Sequence, residues 1–535
     1  MIRMRTDWRV AAIWACLAAR LAFYSAMLPL WEGVDEWAHF AVIQQTALKG
    51  EWLTSRERPI PRNIEASLGM VPLPWELRRL AAPAVTHDAW WQLSEGERRR
   101  RAEALRAMPP AWAREDGSGA FSNYEAQQPP LYYWALAPVL WLMRARGLVP
   151  QVLALRSMSA LAASLVAPLV YAVGHELFED RRMALGCAAV VAVMPGFANA
   201  VARVGNDALA APIYAALIWA GLRMWRKPSA RAACGMGILL GLGLLTKAYF
   251  LTAVAPVMVL ICWRRGPLCN WPRGLYKKLS GWWRLAACVA PLIIAGWWYL
   301  RNLLTTGTLA GLGESVSLQR SDPAAVLRLA PSVPWGRTID AILFSHIYCG
   351  GWSWLTVRSW MYHLLYAIAA LAAIGLWRWL RRPEVLWLLA IYLFFWAGEL
   401  WHAALLFVTH GVPASMGWYL YAVVAAEAPL SVAGLSTWIG VWAAPIGAGL
   451  FALLDLLAMH ALALPYYAGL IRHQPNGTLH LAHFSTLHLP TIFERLSVLV
   501  AVPLCIALWI FYLLASVTAV LLATPAPPPN RGVKP

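Results

Sequence analysis

Hydrophobic runs of about 20 residues recur along this chain, and each is long enough to cross a hydrocarbon core about 30 Å thick. No other feature limits the fold so strongly. Of 535 residues, 60% are hydrophobic and 13% charged, against about 25% charged in ordinary soluble domains. The chain therefore reads as an all-α polytopic membrane protein. Its formal charge of +18 does not point to nucleic acid, because Lys and Arg gather in short clusters between apolar runs, as in the positive-inside pattern. The eight Cys are scattered, most of them within apolar runs, with no paired framework and no metal-ligand spacing. MIRMRTDWRV and the apolar stretch after it lack a small-x-small cleavage site, so this stretch is expected to stay as the first span.

The basic clusters assign sides. Arg3, Arg5 and Arg9 put the N-terminus in the cytoplasm, and a span at about 10–30 then delivers WEGVDEWAHF (31–40) to the outer side. The polar region that follows runs to about residue 128. Its basic run GERRRRAEALR does not reverse the assignment, since long loops cross membranes largely regardless of charge. Further spans are expected near 152–175, 183–201 and 208–224, then two short ones within 234–263 that turn at TKAY. Others follow near 285–300, 361–379, 385–401, 417–433, 437–460 and 496–521, about twelve in all. A full span at QQPPLYYWALAPVLWLMR (127–144) would put Asp35 and Asp207 on opposite sides. That segment is expected instead to be an amphipathic juxtamembrane helix entered through Pro129 and Pro130.

The expected organisation is a catalytic transmembrane core over 1–311, including the outer loop 31–128 and the juxtamembrane segment 127–144. A second outer loop covers 312–360, and C-terminal helices fill 361–521 with a His-rich outer loop at 461–495. The Pro-rich tail 522–535 is expected to be disordered. RMWRKPSAR, the basic stretch 263–284, RWLRRPE and RGVKP fall on the cytoplasmic side.

With this topology Asp35, Glu36, His39, Glu125, Gln127, Gln128, Arg203, Asn206, Asp207, Lys247 and Arg301 all map to outer span ends or the loops beside them. A sugar carried on a polyprenyl phosphate would present its phosphate at this level. The phosphate leaves readily once cations stabilise its charge, a task suited to Lys247, Arg301 and Arg203. The acceptor hydroxyl then needs one general base. A glycosidase, by contrast, generally needs a second carboxyl group to protonate its leaving oxygen. One carboxylate with several cations at a lipid–water boundary suits lipid-linked transfer, with inversion from a single displacement.

The same residues resemble those of the GT-C superfamily of membrane glycosyltransferases, in the branch of aminoarabinose lipid A transferases, protein O-mannosyltransferases and related bacterial proteins. VDEWAHF looks like that branch's first-loop acidic motif, QQPPLYYW like its HxPPLYYW segment and RVGNDAL like its (R/N)D-x-L element. GLGLLTKAYFL and WWYLRN…TG look like its lysine and arginine elements, and GWYLYAVVAAEAP (417–429) is similar to a late GRYL element. The resemblance implies a GT-C-like bundle in which Asp35 activates the acceptor with Glu36 beside it, and Lys247 and Arg301 hold the donor phosphate. It implies a substrate-binding neighbourhood of His39, Glu125, Gln127, Gln128, Asn206 and Asp207. Gln127 stands where relatives often have His, and Trp418 where they have Arg. Some members use a divalent metal and others do not, so no cofactor is assigned and a metal stays open.

Plainer roles exist for several of these residues. Asn206 and Asp207 suit a helix start, His39 suits a packed or capping position, and Arg301 suits an interfacial anchor among Trp297, Trp298 and Tyr299. Arg20 lies mid-span with no evident partner. His473, His480, His483 and His488 have no acidic or Cys ligand near them in sequence, which favours a polar loop over a metal site. The expected protein is an inner-membrane glycosyltransferase with its active site on the outer or periplasmic face. Its partners are the bilayer, a polyprenyl-phosphate-linked sugar and a glycan, lipid or protein acceptor. A transporter or flippase of lipid-linked glycans, with critical charges at mid-depth, and a non-catalytic scaffold are the rivals.

Overall fold

The computed structural model describes residues 7–262, 281–322, 324–483, 487–497 and 499–524. The expectations for Arg3 and Arg5, for the basic stretch at 263–280 and for the tail from 525 onward lie outside them. Among the described residues, eight helices are long and apolar enough to cross a membrane, and a ninth crossing is the bent pair Arg181–Val193 and Pro195–Val201, which turns by 61°. Met194 and Pro195 cause the bend, since proline starts a helix well but cannot continue one. Gly417–Tyr467 is 51 residues long, more than twice what one crossing needs. It breaks between Val424–Ile439 and Ala443–Leu457 at Gly440, whose φ is +58°. Counting both halves of that run and the bent pair gives ten crossings among the described residues. The two short spans expected within 234–263 are the 15-residue helices Ala230–Leu244 and Ala248–Cys262, each shorter than one crossing needs. The protein is an all-helical, multi-pass membrane protein. Its only regular sheet among the described residues is a two-residue parallel pairing, Pro72–Leu73 with Val85–Thr86.

Helix starts follow local chemistry. Asp7, Asp180 and Ser229 each cap a helix by accepting from a backbone N–H two or three residues on, at 3.2, 2.7 and 3.1 Å. Ser94 accepts from Glu97 N at 3.2 Å at the head of the arginine-rich helix Glu95–Arg106. Leu131–Leu142 has 12 residues, about 18 Å of helix at 1.5 Å per residue, too short to cross. It packs on Glu36–Lys49 and on Leu148–Ser164.

The bundle closes by laying the first helix, Trp8–Met27, against the last, Val502–Ala523. In lipid the hydrophobic effect does not drive helices together, so close packing of small residues does. Gly186 meets Ala444, Gly237 meets the Ala287 carbonyl and Gly434 meets the Ala372 carbonyl so closely that a Cβ would collide at each. Arg20 finds its partner here. Its Nη2 donates to Asp455 Oδ2 at 2.6 Å, Tyr512 donates to the same oxygen at 2.7 Å, and Tyr24 donates to the other. Arg20 and Asp455 are both fully buried. The pair joins the first helix to Ala443–Leu457, and the tyrosines extend it to the last helix.

Just past the first helix, Glu32 ties three loops together. It meets His87 Nε2 at 3.1 Å and accepts from Ser353 N and Oγ at 3.1 and 3.0 Å. The His-rich loop is anchored by His473, which bonds Asp88 at 3.0 Å and the Ser353 carbonyl at 3.1 Å and stacks on Trp75. Burial pushes the Asp88 carboxyl up, but the bonds from His473 and Tyr466 outweigh it and hold the group below its ordinary value. His488 caps the helix Leu489–Leu496.

Candidate active site

Two non-glycine residues with left-handed backbone bracket the connection after the first helix: Trp31 at φ +67° and Asp35 at φ +57°. Such conformations persist only where surrounding contacts hold them, and they cluster at functional sites. Trp31 is fully buried, with its indole donating to Ser67 Oγ at 2.8 Å. Asp35 ends the turn just before the helix Glu36–Lys49, so two adjacent carboxylates leave in different directions.

Glu36 is fully buried against Arg156, with Nε–Oε1 and Nη2–Oε2 distances of 2.7 and 2.6 Å, and it also accepts from Val204 N at 3.0 Å. Arg156 donates further to the carbonyls of Ser25, Leu28 and Pro29. Both Glu36 oxygens are thereby engaged, and the pair fastens the turn to the helix Leu148–Ser164. Asp35 has a different setting. Its Oδ1 accepts from the Tyr124 hydroxyl at 2.6 Å, and its Oδ2 makes no hydrogen bond among the described residues. Burial pushes the Asp35 carboxyl up, while the Tyr124 bond and the charges of Arg203 and Lys247 pull against that rise.

One helical turn beyond Asp35, His39 Nδ1 lies 2.9 Å from the Tyr133 hydroxyl and 3.5 Å from Glu125 Oε2. Burial drives the imidazole well below its ordinary value, so it is neutral. Burial and the nearby Asp35 charge drive the Glu125 carboxyl well above its own, so it keeps its proton. The paired tyrosines of QQPPLYYW have separate tasks. Tyr133 reaches His39, and Tyr132 accepts from Gly205 N at 2.8 Å, fixing the RVGND turn. Gly33 makes room for Arg203, whose Cδ a Cβ at that position would meet at 2.9 Å.

The cations lie opposite. Lys247 sits in the turn between the two short apolar helices and donates to Asp207 Oδ1 at 2.6 Å, with the Tyr249 hydroxyl 3.2 Å from the same oxygen. Arg203 is 4% exposed and its guanidinium stands 3.7 Å from Asp207 Oδ2. Three buried atoms here lack a hydrogen-bond partner among the described residues: Arg203 Nε, Asn206 Oδ1 and Gln128 Oε1. Buried polar groups are nearly always bonded, so orphans gathered beside an ion cluster are what a ligand or water would satisfy. The Lys247 ammonium also lies over the rings of Tyr249 and Tyr419, at 5.2 and 5.0 Å.

Tyr419 is held by a close-packed turn. Gly417 N donates to Ser345 Oγ at 2.8 Å, and His346 bonds the Gly417 carbonyl at 3.1 Å and Glu427 at 2.7 Å. A Cβ on Gly417 would collide with the Ile342 carbonyl.

Asp35, Glu125, His39, Arg203, Asp207 and Lys247 therefore share one electrostatic neighbourhood, with Asn206 beside them. Gln127 is at its edge, accepting from Gly313 N at 2.9 Å. Among the described residues no hydrogen bond or ion pair joins Arg301 to the group; its guanidinium lies 5.3 Å over the Trp298 ring. Sequence reasoning did not find Arg156, Tyr124 or Tyr419. Tyr124 immediately precedes Glu125, and Tyr419 lies within the GWYLY element, so position alone offered a signal. Arg156 offered only its charge within an apolar run. Among the described residues, no three His, Cys, Asp or Glu side chains gather as a metal-binding set.

Residues 127–298 match the family model described as dolichyl-phosphate-mannose-protein mannosyltransferase. That stretch carries QQPPLYYW, RVGNDAL, TKAY and the start of WWYLRN, so the likeness to GT-C membrane glycosyltransferases read from those motifs stands. No curated protein matches the chain. Among solved structures, the chain is similar to ArnT from Cupriavidus metallidurans bound to undecaprenyl phosphate, at 16% identity and a TM-score of 0.46, covering 97% of this chain and 77% of that one. The apo state of the same protein gives 14% identity and 0.44, with the same coverage. The oligosaccharyltransferase AglB from Archaeoglobus fulgidus, in complex with an inhibitory peptide and a dolichol-phosphate, gives 13% identity and 0.38, covering 99% and 57%.

Proposed function

We propose that this protein is an integral membrane glycosyltransferase that moves a sugar from a polyprenyl-phosphate-linked donor to an acceptor hydroxyl on the outer face of the inner membrane, with inversion. The observation that carries the proposal is one carboxylate with an unpartnered oxygen, Asp35 Oδ2, in the field of two buried cations, Lys247 and Arg203. The family match over 127–298 supports it.

In this mechanism Asp35 Oδ2 takes the proton of the acceptor hydroxyl as that oxygen attacks the anomeric carbon. The bond between that carbon and the phosphate oxygen breaks, and its electron pair leaves with the polyprenyl phosphate. Lys247 and Arg203 stabilise the charge gathering there, in a site where few waters compete. Asp207 holds both cations in place until the phosphate arrives. Glu36 acts through Arg156 to fix the turn that aims Asp35, so it is a positioning residue in this scheme. Glu125, protonated, and His39, neutral, donate and accept hydrogen bonds without adding charge. Gln127 and Gln128 border the acceptor side. The sugar headgroup and the acceptor class are decided by the walls around this centre.

The test is transfer of radiolabelled sugars from polyprenyl-phosphate donors by membranes carrying equal amounts of wild type or Asp35→Asn. Loss of transfer by about 10²-fold or more, with donor binding retained, is expected. Full transfer by the variant would remove Asp35 as the base. Absence of transfer by both proteins with every donor would favour a transporter of lipid-linked glycans.

A further inference from the structure

Beside Lys247, polar groups on the apolar helix Pro383–His410 and on the segment that follows it take no part in the transfer step. Glu399 is 5% exposed in the middle of the helix Pro383–His410. Ionisable groups at such positions are costly and face the interior for a reason. Its Oε1 accepts from Ser415 Oγ at 2.6 Å, and Ser415 Oγ lies 2.9 Å from His402 Nδ1. Ser415 thus bridges Glu399 and His402 Nδ1, and the second imidazole nitrogen, Nε2, is left for a further partner. Glu399 Oε2, His402 Nε2 and the Tyr419 hydroxyl make no hydrogen bond among the described residues.

This chain adjoins the phosphate cation. The Tyr419 ring has the Lys247 ammonium 5.0 Å over its face and the His402 ring edge-on at 6.0 Å. Lys247's charge reaches both Glu399 and His402, and the Asp35 charge reaches the Tyr419 hydroxyl. A phosphate on Lys247 carries its sugar on one of its own oxygens, which brings the sugar's hydroxyl groups within reach of these side chains while its anomeric carbon faces Asp35.

We propose that Tyr419, His402 and the Glu399–Ser415 pair form the subsite that binds the hydroxyl groups of the donor's sugar and so selects which polyprenyl-phosphate monosaccharide is used; this rests on the lipid-linked donor proposed above. Sugar hydroxyls both donate and accept, and the subsite offers them a carboxyl group, an imidazole nitrogen and a phenol. A site built to bond a substrate hydroxyl can reject an analogue lacking it by about 10⁴–10⁵-fold, which is the selectivity a headgroup reader needs.

The test uses the full chain in detergent or liposomes and compares wild type with Ser415→Ala and, separately, His402→Gln. Two quantities are measured: affinity for sugar-free polyprenyl phosphate, and kcat/KM for a polyprenyl-phosphate hexose against its single-deoxy analogues. The expected result is affinity for the sugar-free lipid within about twofold of wild type, with kcat/KM for the hexose down by 10-fold or more. The penalty wild type shows for at least one deoxy analogue should also disappear. Variants that discriminate the deoxy analogues as sharply as wild type would overturn the proposal, as would an equal loss of affinity for sugar-free and sugar-bearing lipid. A wild-type protein that binds no polyprenyl phosphate at all would overturn the donor itself, so the two failures are told apart.

Discussion

Asp35 and Glu36 are adjacent in sequence, yet Glu36 accepts three hydrogen bonds from Arg156 and Val204, and Asp35 accepts one from Tyr124. Their substitutions should fail differently. Glu36→Gln breaks a fully buried ion pair, which costs about 3–5 kcal/mol, and thermal unfolding in detergent should fall accordingly. Asp35→Asn should leave unfolding near wild type and abolish transfer. Acid should silence the enzyme by protonating Asp35, and because burial raises that group, the acidic limb of kcat/KM should lie above the ordinary aspartate value near 4. Tyr124→Phe removes a bond that favours the ionised form, so the limb should move to higher pH; a limb that stays or falls would separate Tyr124 from the base. Glu125→Gln keeps the shape of a protonated acid and should retain transfer within about tenfold, since the wild-type group is already neutral. Among the cations, Lys247→Ala should lose far more transfer than Arg301→Ala, because Lys247 joins the ion cluster and Arg301 lies over Trp298.

At the scale of elements, the site depends on turns that admit no side chain. Gly417→Ala would drive a Cβ into the Ile342 carbonyl and push the Gly417–Val423 turn, with Tyr419, away from Lys247. Overpacking of this kind costs about 1–3 kcal/mol, so a lowered unfolding midpoint with a larger proportional loss of transfer is expected. The two short apolar helices meeting at Lys247 were legible because a 30-residue apolar run interrupted by one lysine is too long for one crossing. Leu131–Leu142, expected as a helix that does not cross, has only 12 residues. The chain Glu399–Ser415–His402 was not legible. Its members lie on one long helix and the turn that follows it, and one acidic residue in an apolar run does not announce what it faces.

Across the whole molecule, Arg20 and Asp455 are 435 positions apart and hold the first helix to a late one. Asp455→Leu would strand a buried guanidinium and should destabilise by about 3–5 kcal/mol, whereas Arg20→Met combined with Asp455→Leu should come close to neutral. Unfolding midpoints of the single and double variants decide this, and an additive double loss would refute the pairing. The same contrast separates what each level of description settles. Hydropathy is local, since the cost of exposing a backbone amide or a charge to lipid is paid residue by residue. Sequence by itself therefore determined a multi-pass helical protein, the segments that cross, and the charged motifs brought to span ends. Pairing is not local. Only the tertiary structure decided that Glu36 belongs to Arg156, 120 positions on, and that Arg20 belongs to Asp455. It also left one oxygen of Asp35 unpartnered in the field of Lys247 and Arg203, because a buried charge takes its role from whichever groups the packed helices place within hydrogen-bond reach.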